Sequence, residues 1–169
     1  MVQIGLMSDT HSLLDPKVYE HFADCDEIWH AGDFGSVDLI DELMAFKPLR
    51  GVYGNIDGHK IRAEFPENLF FEIEGYKVFM THIGGYPGRY NPRVKPLLQS
   101  HQPNLFITGH SHILKVMPDK QLGLLHINPG ACGNSGWHKV KTLVRFRIDS
   151  GKIDNLQVIE IGYRGKGVE

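Results

Sequence analysis

The sequence predicts an α/β fold of two facing sheets with helices outside, and three observations carry that prediction. Over residues 2–57, apolar strand-like runs alternate with helix-like segments through short links, the pattern of parallel βαβ units with right-handed crossovers. From residue 68 onward strand signals dominate, punctuated by turns at Glu74-Gly75 and Ser150-Gly151. Strand-like runs repeatedly stop on polar clusters, and in open α/β sheets the carboxyl ends of the strands are where ligands bind.

Val2-Gln3-Ile4-Gly5-Leu6-Met7 is short and mostly apolar, suits a buried strand, and ends on Ser8-Asp9-Thr10-His11. Asp15 offers an N-cap and Pro16 a first helical position, so a helix carrying Val18 and Phe22 is expected to about Asp24. Glu27 to Ala31 reads as the second strand, ending on Gly32-Asp33. Ser36 caps a helix whose apolar positions Val37, Ile40, Leu43 and Met44 share one face, and Pro48 stops it. Leu49 to Tyr53 is the third strand and runs into Gly54-Asn55-Ile56-Asp57.

Leu69 to Ile73 and Tyr76 to Thr81 form a hairpin. His82 then opens an irregular loop over 83–92, rich in glycine, proline and aromatics, of the kind that supplies lids and binding loops. A helix is expected from about Arg93 to His101, interrupted early by Pro96. Leu105 to Thr108 is a buried strand leading into Gly109-His110-Ser111-His112. Ile113 to Met117, Leu124 to Ile127, Lys139 to Asp149 and Lys152 to Ile161 are the remaining strands. Val140, Thr142 and Val144 alternate with Lys139, Lys141 and Arg145, which predicts a half-exposed antiparallel strand.

The chain has 169 residues, 41% apolar and 22% charged, which suits one domain over 1–169 with a single core. Its net charge of -2 argues against non-specific nucleic-acid or anionic-membrane binding, so an anionic substrate would be drawn by bound cations. Cys25 and Cys132 are too few for a disulfide framework and read as small buried residues in a reducing compartment. No charged leader precedes the first strand, and no apolar run approaches the ~20 residues of a membrane span; the expected location is cytoplasmic. Ten histidines invite a search for metal sites.

Five clusters meet that search: Asp9-x-His11, Gly32-Asp33, Gly54-Asn55-x-Asp57, His82 and Gly109-His110-x-His112. They offer carboxylate, amide and imidazole without thiolate, a set suited to manganese, iron, zinc or nickel rather than calcium or magnesium. Seven ligands exceed the needs of one ion. They suit two ions about 3.5 to 4 Å apart sharing a carboxylate, an arrangement that clamps a phosphoryl group and produces hydroxide near neutral pH.

In these five motifs the chain resembles the calcineurin-like metallophosphoesterase superfamily, and most of all its small single-domain phosphodiesterases of the YfcE type. The likeness runs from Asp9 to the Asn128-Pro129-Gly130 turn. It implies a four-layer αββα sandwich of two mixed sheets. It implies one divalent ion, manganese first, held by Asp9, His11, Asp33 and His112, and a second held by Asp33, Asn55, His82 and His110, with Asp33 as the bridge. A metal-held hydroxide would attack phosphorus in line, while the metals and Asn55 neutralise charge on the phosphoryl oxygens. The implied partner is a small phosphate ester, more a diester than a monoester, with nucleic acid only as a small nucleotide; a homo-oligomer is compatible with the sequence.

Two positions depart from the family pattern. Ile56 stands where many members have a histidine thought to protonate the leaving group, which would favour good leaving groups or another acid. Ile83 replaces the common glycine after the lone histidine, so that loop is expected to be reshaped. Against the enzyme stand a non-catalytic scaffold of the retromer-subunit type and a hydrolase of non-phosphate esters; retention of all seven ligand types separates the chain from the scaffold.

The other polar residues take plainer readings. His30 packs behind the site, and His126 is a core or supporting residue. His21, His59, His101 and His138 are solvated. Asp57 either orients neighbouring ligands or fills a turn. Arg89, Tyr90 and Arg93 read first as a charged surface loop and second as substrate contacts, and Gly130, Gly133 and Gly136 match no phosphate-binding fingerprint.

Overall fold

A computed structural model describes residues 1–165; the last four residues of the expected 1–169 domain lie outside the described part. Two five-stranded mixed sheets face each other. The first has the order β12-β11-β1-β2-β3, from β1 (Val2–Met7), β2 (Glu27–His30), β3 (Leu49–Gly51), β11 (Val140–Asp149) and β12 (Lys152–Tyr163). The second has the order β4-β5-β8-β10-β9, from β4 (Asn68–Ile73), β5 (Tyr76–Thr81), β8 (Leu105–Ile107), β9 (Lys115–Asp119) and β10 (Leu124–Asn128).

Period-two side-chain alternation gives each sheet an inner and an outer apolar face. Ile4, Leu6, Trp29 and Phe146 of the first sheet meet Val78, Met80, Leu105 and Ile127 of the second in the central core. The outer face of the first sheet, with Met7 and Ile28, is covered by α1 (Lys17–His21), α2 (Val37–Phe46) and α3 (His59–Glu64) through Val18, Leu39, Ile40, Leu43 and Ile61. On the other side, α4 (Lys95–His101) covers Phe79 and Phe106 through Leu98. The order of layers is therefore helix, sheet, sheet, helix, as the motifs implied.

Several boundaries move for physical reasons. The helix α3 was not expected, because its six residues carry one buried side chain, Ile61, and no periodic stripe. Pro96 does not interrupt α4 but sits in its first turn, where a missing N–H costs nothing. The first helix ends at His21 rather than near Asp24. The 83–92 loop carries a two-stranded ribbon, β6 (Gly85–Tyr86) with β7 (Arg89–Tyr90). Lys141 is buried rather than half-exposed: β11 is interior, between β12 and β1, and its register shifts between Lys141 and Thr142. The buried ammonium is matched by Asp15, whose carboxylate lies 3.0 Å away and also accepts from Lys17 N at 2.9 Å.

Candidate metal centre

The five clusters follow strands whose carboxyl ends meet along the seam between the sheets. Since β1 and β2 run in parallel, their following turns lie side by side and continue the ladder past the sheet: Asp9 N donates to Gly32 O at 3.0 Å, His11 N to Asp33 O at 3.1 Å, and Ser12 N to Phe34 O at 2.8 Å. In the second sheet β5 and β8 are also parallel neighbours, and Gly109 N donates to His82 O at 3.0 Å.

Turning inward so abruptly requires a left-handed backbone. Asp9, His11, Ser12, Asp33, His110 and His112 have φ between 47° and 70°. Each such residue costs on the order of 1 kcal/mol or more, and strain of this kind collects where a side chain must be aimed. Five of the seven expected ligands are held in this conformation. Elsewhere it serves simple reversals, as at Glu74 and Ser150 in the hairpins.

The aimed atoms converge. Oδ2 of Asp33 lies 3.3 Å from His11 Nε2 and 3.1 Å from His82 Nε2, and Oδ1 of Asp9 lies 3.1 Å from His112 Nε2. Donor atoms of Asp9, His11 and His112 fall within 4.8 Å of one another, as do those of Asp33, His82 and His110. Contact with His11 from one group and His82 from the other puts the Asp33 carboxylate between them. At the rim, Asn55 Oδ1 is 3.0 Å from His110 Nδ1, and both side chains are exposed.

Do these residues fit metal ions? Buried polar atoms are nearly always hydrogen-bonded. Asp9 Oδ1, His11 Nε2 and His82 Nε2 are buried without a hydrogen-bond partner, all in this one cluster. His82 Nδ1 lies 2.7 Å from Ala31 O, and the backbone bond there leaves Nε2 to face the carboxylates, as a metal requires. Oxygen and imidazole donors without sulfur suit a divalent first-row ion. The donor set fits.

Electrostatics keep the oxygens charged. Burial pushes the carboxyls of Asp9 and Asp33 up, but the imidazoles of His11, His112 and His82 and the Ser8 hydroxyl facing Asp9, and the imidazoles of His11 and His82 and the Ile56 N–H facing Asp33, outweigh it and hold both well below the usual range. The facing carboxylates of Asp33 and Asp9 in turn raise His11 to about 9. His82 rises despite its burial, because Asp33 and Asp9 face it, whereas burial and the neighbouring His82 lower His110.

Supporting residues emerge that sequence reasoning left undecided or misplaced. Asp57 is buried and accepts from Phe34 N, Gly35 N and Gly54 N at 3.2, 2.9 and 2.8 Å, so it bolts the Asp33 turn to the Asn55 turn. Gly54 is required there, since any Cβ would overlap the Asp33 carboxylate. Arg93 is not a free surface charge: its guanidinium bonds Thr81 Oγ1 and Ile83 O at 3.1 and 3.0 Å, bracketing His82. Tyr90 likewise donates to Asp119 at 2.5 Å. Arg62 grips the Asn55 loop through the carbonyls of Asp57 and Asn55.

His138 is corrected from solvated to half-buried. It packs edge-on against His112 with ring centres 5.2 Å apart, its Nε2 lies 2.8 Å from Gly133 O, and its Nδ1 is enclosed. His30 does pack behind the site: it is fully buried, stacked on Phe34, and held neutral by burial, which lowers it to about 3. His126 is buried in β10 with Nε2 2.9 Å from Thr108 Oγ1, and burial lowers it to about 4. His59 and His101 are exposed, and His21 is half-buried. No periodic or spacing signal marks Arg62, Arg93 or His138: Arg62 binds carbonyls five and seven residues before it, Arg93 reaches Thr81 and Ile83, and His138 packs on His112.

Two cavities flank the cluster. One, of about 330 Å³, opens beyond Gly109 and His110; the other, of about 350 Å³, opens beside Asn55 and His82. Ile83 and Asn91 line both, so the isoleucine that replaces glycine stands as the ridge between them.

Comparison with known proteins agrees with this geometry. A protein described as a probable metallophosphoesterase of Methanothermobacter thermautotrophicus is 32% identical over 166 residues, covering 94% of this chain and 92% of that one. Another of Methanocaldococcus jannaschii is 28% identical over 134 residues, covering 76% and 67%. Among solved structures, one described as a novel archaeal phosphodiesterase superposes with TM-score 0.74 at 26% identity, over 94% of this chain and 99% of that one. Vps29 of Entamoeba histolytica complexed with Zn2+ superposes with TM-score 0.73 at 16% identity, over 95% and 98%, a likeness of fold alone. The model of the calcineurin-like phosphoesterase superfamily domain matches residues 2–151, the span that holds all five clusters, and the chain belongs to that family of metal-dependent hydrolases.

Proposed function

We propose that the protein hydrolyses small phosphodiesters at a dinuclear metal centre, with Asp9, His11, Asp33 and His112 around one ion and Asp33, Asn55, His82 and His110 around the other. The observation that carries this reading is the position of Asp33 Oδ2, within 3.3 Å of a histidine from each ligand group. Manganese is the first expected ion, with iron, zinc or nickel compatible with the same donors. Two bound divalent ions supply a water of lowered pKa and a Lewis-acid clamp on the phosphoryl oxygens.

The chain's own residues do the rest. Asp9 and Asp33 remain ionised, which keeps a strong cation site. Asn55, at the rim and next to His110, presents its amide N–H to a phosphoryl oxygen as charge grows there. Overall, water adds to phosphorus, one P–O ester bond breaks, and the departing alcohol gains a proton. Ile56 cannot donate that proton: its side chain is exposed, while its backbone N–H donates to Asp33 Oδ1 at 3.0 Å. Solvent then supplies it, which favours esters with acidic alcohols. Flanking cavities on both sides of the cluster suit a phosphorus with two ester arms.

Manganese-loaded protein is expected to hold two ions per chain and to cleave an activated aryl phosphodiester. Asp33→Asn is expected to lower kcat/KM about a thousandfold and to lose at least one ion by metal analysis. Loaded protein that cleaves neither activated diesters nor monoesters would end the enzyme reading.

A further inference from the structure

We infer that the cavity beyond His110 receives one arm of the diester and selects arms that carry a second anionic group, a carboxylate or a phosphate. This rests on the phosphodiesterase reading and adds the substrate class. The cavity measures about 330 Å³, and its lining includes Gly109 and His110 but not Asn55, which borders the other cavity.

Its lining has an unbalanced charge. Arg89 and Lys115 reach it and no carboxylate does among the described residues. Lys115 Nζ stands 4.0 Å from the centre of the Tyr86 ring, a cation held against an aromatic wall. Asp119, engaged by the Tyr90 hydroxyl at 2.5 Å, lines a neighbouring cavity that Arg89 also borders, and does not line this one. The opposite cavity differs in carrying an acid: Glu67 lies 3.6 Å from Arg93 there and offsets one of its two arginines, Arg62 being the other. With a chain charge of -2, two cations and no carboxylate in the lining of one cavity is a local feature and not a consequence of composition.

A second observation points to a ligand at the same place. His126 lines this cavity, is fully buried and has an Nδ1 with no hydrogen-bond partner, while its Nε2 is engaged by Thr108. Buried atoms of this kind are seldom left unsatisfied. A hydroxyl on the arm would satisfy it. The aromatic wall and cations then hold the remainder of the arm, and Ile83 separates it from the second arm.

The test compares three p-nitrophenyl phosphodiesters whose other arm is butyl, 3-carboxypropyl or 3-phosphopropyl, on manganese-loaded protein. The native protein is expected to prefer each anionic arm over butyl by about fivefold in kcat/KM, the scale of one or two partly exposed ion pairs. In Lys115→Met combined with Arg89→Gln the ratio is expected to fall to about one. A general loss of activity cancels in that ratio. Calorimetric binding of the matching non-hydrolysable phosphonates reads the same preference without turnover. Cleavage of the butyl diester with no preference for either anion overturns the anionic subsite and leaves the phosphodiesterase reading standing. Failure to cleave any of the three overturns both. A preference that survives the double substitution overturns the assignment to these residues. Preference for only one of the two anions identifies which source the site accepts.

Discussion

The two sheets contribute to the centre in different ways. The first sheet supplies the oxygens, Asp9, Asp33 and Asn55, from turns that are hydrogen-bonded side by side; Asp9 and Asp33 are 0% and 2% exposed. Apart from His11, the second sheet supplies the imidazoles, from loops that carry the cavity walls, and His110 among them is exposed. Charge accounts for the contrast. Two anions so close need many donors to hold them, whereas imidazoles need chiefly orientation. The first half is therefore the more buried and more heavily hydrogen-bonded seat, and the second is the more open half, the one expected to be adjustable.

One buried residue in each half does the holding, so the pair can break or sharpen that distinction. Asp57 receives three backbone N–H groups from the Asp33 and Asn55 turns. Asp57→Asn replaces a charged acceptor with a weaker one in the seat and is expected to cut metal affinity about 10- to 100-fold by calorimetric titration. Its counterpart is Asn128, whose amide donates to Gly109 O and Ser111 Oγ, both at 3.0 Å, and accepts from Gly130 N. Asn128→Ala is expected to cost about tenfold in the same titration, because the loop it steadies has more freedom to readjust. A larger loss from Asn128→Ala than from Asp57→Asn would reverse the roles of the two halves.

This division also governs what the sequence could reveal. Strand-to-cluster transitions were legible because apolar runs ending on Asp9, Asp33, Asn55, His82 and His110 are local patterns, and parallel strand order then brings their ends together. The buried Lys141 was not legible: its partner Asp15 lies 126 residues away, and alternation alone assigns it to solvent. His138 was misplaced for a similar reason. Its burial depends on the Gly133–Lys139 segment folding against His112, with Gly136 leaving no Cβ between the rings, and nothing local to His138 encodes that approach. Arg93 is an exposed charge, as its loop suggested, but its bonds to Thr81 and Ile83 were not legible, one of the partners being a backbone carbonyl invisible to composition.

The smallest expected effect concerns the buried histidine behind each half, His30 in β2 and His126 in β10. Burial lowers them to about 3 and about 4, from an ordinary value of 6.5. A depressed histidine value means that the folded chain resists a proton which the unfolded chain accepts. The corresponding stability is complete above pH 6.5 and is lost as pH falls from there toward the folded value. Between pH 6.5 and 5.5 the loss is about 1 kcal/mol for each group. His30 lies among the charges of Asp9, Asp33 and His82, so its response is tied to the metal centre. His126 has only Lys115 as a charged neighbour acting on it and gives the cleaner reading. His126→Gln keeps a group able to bond Thr108 but does not titrate. Denaturant unfolding at pH 6.5 and 5.5 should then show a drop about 1 kcal/mol smaller in the variant than in the native protein. Equal drops would mean that His126 is not held neutral, and that the adjustable half of the site does not rest on a dry core as the seat does.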